Sequence, residues 1–100
     1  MTTTEQAQSH WNAAAGMHER RLRGLVTATG ANVTDSADPT ASFDVHHPGA
    51  DTILRVVVTA DAISVARVLP RRGRIMGAAQ FRGLALDITA AAIVAMAKEL

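Results

Sequence analysis

Thr52-Ile-Leu-Arg-Val-Val-Val-Thr-Ala-Asp-Ala-Ile-Ser-Val-Ala-Arg-Val-Leu69 decides the fold. β-branched residues dominate both halves of this run, which suits a pleated, packed surface better than a helix. Thr59-Ala60-Asp61-Ala62 interrupts it with small and polar residues that can reverse the chain. The reading is two antiparallel strands at the centre of a small sheet. The second half carries an ambiguity. Ala62, Val65, Ala66 and Leu69 also sit at helical spacing, with Asp61 as a capping residue and Pro70 as a stop. Ile63, Val65 and Val68 favour the strand.

Upstream, Ser42 to His47 alternates, with Phe43 and Val45 on one face and Asp44 and His46 on the other. That is the pattern of a half-buried strand. Pro48-Gly49 supplies the two central residues of a type II turn leading into the strand that starts at Thr52. Ala31 to Ala41 has turn-forming residues without apolar period and reads as a loop. Before it, Ala7, Trp11, Ala14, His18, Leu22, Leu25 and Thr29 recur at spacings of four and three. They define a helical stripe, with Thr3 and Thr4 as caps and Gly30 near the end. Trp11, in that stripe, is expected to pack against the sheet. Glu5, Ser9, Asn12, Gly16, Glu19, Arg20 and Arg23 fall on the opposite face.

Downstream, Pro70-Arg71-Arg72-Gly73-Arg74 is a basic turn, and Ile75 to Leu86 can hold a fourth, irregular strand. Asp87 is the expected N-cap of a last helix, Ile88 to Leu100, whose apolar residues surround the axis. The expected fold class is α+β: a single domain, residues 1–100, in the order α-β-β-β-α. An antiparallel sheet of three or four strands carries the N- and C-terminal helices on one face. Double-stranded-RNA-binding domains share this order, but they open the second helix with a lysine cluster where this chain has Asp87-Ile88-Thr89. Order alone assigns no family.

The net charge is +1, so no bulk electrostatic partner is implied. The absence of cysteine removes disulfides, thiol catalysis and Cys-ligated metals. The start of the chain lacks a basic-then-apolar leader, and no apolar run is long enough for a membrane span. A cytoplasmic protein is expected. Only three residues are aromatic, so the core is thin and aliphatic, and together with the all-round apolar last helix this predicts a homo-oligomer.

Three groups of residues can carry function. Arg71, Arg72 and Arg74 in the turn, with Arg82, Arg20 and Arg23, form a basic group suited to phosphates or an acidic protein surface. Asp44, His46 and Asp51 around the hairpin are carboxylate and imidazole groups at a spacing that could hold a divalent metal or an acid–base pair. Their plainer reading is a solvated hairpin end. His18 on the helical stripe reads as a partly buried residue with one partner. No phosphate-binding glycine loop and no Gly-x-Ser-x-Gly elbow occurs. The expected function is a non-catalytic module that binds protein, as a regulator, inhibitor or assembly subunit, without a cofactor. RNA or DNA binding through the arginine turn is the alternative, and a metal- or His-dependent enzyme the third.

Overall fold

A computed structural model describes the backbone of residues 4–83 and 85–100 and the side chains of residues 15–83 and 85–100. Expectations for the Thr3 cap and for the side chains of Ala7, Trp11 and Ala14 lie outside the described residues. The elements are α1 (Thr4–Thr27), β1 (Asn32–Thr34), β2 (Phe43–His46), β3 (Ile53–Val58), β4 (Ile63–Leu69), a 3-10 turn (Pro70–Arg72), β5 (Arg74–Phe81) and α2 (Leu86–Lys98). The strands form one antiparallel meander in the order β1-β2-β3-β4-β5. The architecture is α+β, with five strands in place of three or four.

Each reversal follows from local chemistry. Gly49 has φ 78°, and the Ala50 amide donates to the His47 carbonyl at 3.1 Å, closing the turn around Pro48-Gly49. Between β3 and β4 the Thr59 amide donates to the Ala62 carbonyl at 2.9 Å, and the Ala62 amide to the Thr59 hydroxyl at 3.2 Å. Residues 63–69 are a strand, since β4 is paired on both sides and a helix there would strand the edges of β3 and β5. After Pro70–Arg72 the chain turns through Gly73 at φ 58°, a left-handed conformation that costs other residues.

Alternation along the strands sends one set of side chains to the helices. Phe43, Val45, Leu54, Val56, Val58, Ile63 and Val65 pack with Leu22 and Val26 of α1 and with Ala90, Ile93 and Ala97 of α2. Both helices rest on β3, and α1 also on β1. Among the described residues no helix covers the opposite sheet face. Ile53 and Val68, direct partners across β3–β4, are buried there, but Ile75, the partner of Val68 on β5, is 65% exposed.

Three expectations are corrected and one is sharpened. The loop read over Ala31 to Ala41 contains β1, a three-residue edge strand paired to β2. The fourth, irregular strand expected within Ile75 to Leu86 is present as β5, eight residues with one bulge: Arg67 pairs Gly77 and Val68 pairs Ile75, leaving Met76 unopposed. Asp87 is not the cap; α2 starts at Leu86 after an extended Ala85, with Asp87 in its first turn. Among the described side chains of α1, Leu22 and Val26 are buried, Ala15, Glu19, Arg23 and Leu25 are half-buried, and His18 is exposed. Over the described side chains, Leu22 and Leu25 of the expected stripe face inward as read, whereas His18 and Thr29 do not and Val26 does, since α1 packs beside α2 as well as on the sheet.

Candidate functional site

The basic end of β5 is built by the turn. Pro70 opens the 3-10 turn, the Gly73 amide donates back to the Pro70 carbonyl at 3.3 Å, and the left-handed Gly73 releases the chain into β5. Arg71, Arg72 and Arg74 are all exposed around it. Among the described residues the ion pairs are Arg23–Asp35 and Arg55–Asp44, so these three arginines share in neither. Beside them Ile75 is 65% and Met76 52% exposed, large apolar side chains that nothing among the described residues covers. From Ala62 to Leu86 the charged residues are Arg67, Arg71, Arg72, Arg74 and Arg82, with no carboxylate.

The expected basic group does not come together. Arg82 follows β5 at the end away from Arg74, and its Nη2 donates to the Gln80 Oε1 at 3.4 Å. Arg23 donates to Asp35 at 2.7 Å just beyond β1, on the opposite edge of the sheet from β5. Arg20 is exposed on α1. Arg71, Arg72 and Arg74 are the members that cluster.

The Asp44, His46 and Asp51 group is divided among other partners. Asp44 is 3% exposed and accepts from Arg55, Nε to Oδ1 at 3.1 Å and Nη2 to Oδ2 at 3.2 Å. That hydrogen bond is the main reason the Arg55 guanidinium is held above its ordinary pKa, desolvation opposing it. His46 Nε2 lies 2.7 Å from the Thr34 hydroxyl across β1–β2. Asp51 is exposed in the turn after Gly49. Among the described residues no three His, Asp or Glu side chains converge as metal ligands.

Two concavities were not foreseen from the sequence. On the helix-free face a groove of about 270 Å³ is lined by Arg55, Val57, Ala66, Val68, Ile75 and Ala78, with Asp38 of the β1–β2 connection at its rim. Asp38 accepts from the Thr40 hydroxyl at 2.7 Å and the Thr40 amide at 2.9 Å. The hydroxyl bond is the largest cause holding its carboxyl below the usual value, with a smaller contribution from nearby Arg55. At the far end of the sheet an open cleft of about 620 Å³ includes Met17, His18, Arg21, Asp61, Phe81 and Leu86. Exposed His18 belongs to this cleft, not to the core. The period-two pattern of β4 and β5 was the available signal for the groove, but only a fixed register shows which small residues line it.

No protein-family model matches the chain, and neither a curated protein nor a solved structure does. Among the described residues no helix is long and apolar enough to cross a membrane.

Proposed function

We propose that this chain is a small non-catalytic module that binds another protein through the arginine-bearing end of β5, as a regulator, inhibitor or assembly subunit. One observation carries the reading: Ile75 and Met76 are exposed beside Arg71, Arg72 and Arg74, in a stretch without carboxylates. Arginine and methionine next to exposed aliphatic surface is the composition of protein interfaces, where guanidinium groups meet carboxylates bidentately and apolar anchors lose water. The same reading takes the protein as cytoplasmic and self-associating, with the outward side of α2 as the contact between copies. Ile88 is 55% exposed there, and Ala91 and Ala95 are exposed one and two turns on.

The test is co-purification of the tagged full chain from its native host, beside a variant with Arg71, Arg72 and Arg74 replaced by Ser. A stoichiometric protein partner recovered with the parent chain and lost with the variant is the expected result. Equal recovery by both chains overturns the assignment to this surface. Recovery of nucleic acid, with affinity falling steeply against salt, would replace protein by RNA or DNA as the partner.

A further inference from the structure

Resting on that protein-binding reading and deepening it, the geometry points to the mode of recognition: an extended segment of the partner, apolar in its middle and acidic at its ends, adds to the free edge of β5 as a sixth strand. β5 has β4 on one side and, among the described residues, no strand on the other. Its free side therefore presents a row of backbone amides and carbonyls. The other sheet edge, β1, has three residues, against eight in β5. Edge strands of natural proteins are commonly guarded by lysine, proline or a bulge. β5 contains neither lysine nor proline, and its one bulge sits at Met76. From Gly77 to Phe81 the ladder to β4 is regular; Gly77 has no side chain, and those of Ala78 and Ala79 are too small to shield the backbone.

The surroundings fit a peptide strand. Side chains of an added strand alternate between the two faces, and the groove of about 270 Å³ beside Ile75 and Ala78 lies on one of them. Arg74 and Arg82 bracket the strand eight residues apart, roughly 27 Å along an extended chain. Carboxylates at both ends of the incoming segment would meet them.

Other occupants fit less well. A second copy pairing β5 with β5 antiparallel would set Arg71, Arg72 and Arg74 of one chain against Arg82 of the other at both ends, with no carboxylate in either strand. Like charges there oppose the contact. A phosphate backbone offers acceptors only, whereas a strand edge alternates donors and acceptors. The one aromatic residue of β5, Phe81, is half-buried against the core and is no platform for stacking bases.

The experiment titrates the full ¹⁵N-labelled chain with a blocked peptide carrying an alternating Val-Thr core between paired glutamates. Saturable amide shifts and slowed hydrogen exchange concentrated at Gly77–Phe81 are expected. The same peptide with a central proline, or with lysine for glutamate, should bind about tenfold more weakly or worse, as should the parent peptide to the chain with Arg71, Arg72, Arg74 and Arg82 replaced by Ser. No response at β5, or equal binding of the proline peptide, overturns strand addition. The loss of the native partner in the triple arginine variant would still stand, so the two readings fail separately. Protected Gly77–Phe81 amides in a free dimer would assign the edge to a second copy. A single-stranded oligonucleotide shifting these amides at lower concentration than the peptide would assign it to nucleic acid.

Discussion

Asp44 and Arg55 stand directly opposite one another across β2–β3, and the guanidinium grips both carboxylate oxygens, at 3.1 Å and 3.2 Å, on the sheet face opposite the two helices. The side chains are 4% and 19% exposed, so this is a mostly desolvated pair and not a surface contact. Desolvation of two ions opposes folding and their attraction offsets it, leaving the net contribution of such a pair small. Its two parallel hydrogen bonds nevertheless tie the hairpin's register, because a slip of one residue would turn Asp44 into the core beside Leu22 and Val26.

Removing one partner and removing both should therefore differ. Asp44→Ala leaves a half-buried guanidinium unpaired and should cost about 3–5 kcal/mol. Replacing Asp44 and Arg55 together by Val, which joins Ile53 and Val68 on that face, should restore most of the loss. Urea unfolding of the three chains measures this. A single substitution as mild as the double one would mean that water reaches the pair freely.

The arginine turn should be energetically silent in the free protein. Arg71, Arg72 and Arg74 are exposed, so the triple Ser variant should unfold within about half a kcal/mol of the parent per site. A Gly73→Ala change should behave differently, because the left-handed backbone at φ 58° penalises a Cβ by about 1–2 kcal/mol. Thermal melts of the two variants separate these cases.

Assembly is best tested on the outside of α2. Ile93 is fully buried between the helices and the sheet, so Ile93→Asp would unfold the chain and report nothing about oligomers. Ile88 is 55% exposed and leads the outward stripe through Ala91 and Ala95. Ile88→Asp should keep the native circular dichroism and shift the light-scattering mass from dimer to monomer. A parent chain that stays monomeric at every concentration would remove self-association from the proposal.

The central hairpins were legible because their turns are written in turn residues, Pro48-Gly49 and Thr59 to Ala62, between β-branched runs. The flanks were not. β1 is Asn32-Val33-Thr34, too short for any period, and it exists because β2 offers an edge. In β5, Gly77-Ala78-Ala79 has poor strand propensity, overridden by pairing with β4. Arg55 was missed for a similar reason. A tight turn on Pro48-Gly49 alone would set Asp44 opposite Ile53, whereas the longer connection from His47 to Thr52 sets it opposite Arg55. The clustering of Arg71, Arg72 and Arg74 was visible, since they share one turn. Their separation from Arg20, Arg23 and Arg82 depends on strand order, which local pattern does not carry.

The last prediction concerns the rim of the groove. The Thr40 hydroxyl and amide donate to Asp38 and hold its carboxyl below the ordinary value of 3.8. A carboxyl depressed in the folded state favours folding when ionised. That contribution is present in full above the ordinary value and disappears as pH falls through the lower folded-state value. Thr40→Ala removes the hydroxyl bond, the largest cause of the depression, so Asp38 should titrate higher than in the parent. The difference in stability between the two chains should shrink as the solution is acidified through that window. Carbon-detected titration of the Asp38 carboxyl, with urea unfolding at each pH, reads both quantities. An Asp38 that titrates alike in the two chains would show that the Thr40 hydroxyl does not hold it in solution. The Asp38-Pro39-Thr40 turn would then rest on its backbone bonds, the Thr40 amide to the carboxylate and the Ala41 amide to the Asp38 carbonyl at 3.1 Å.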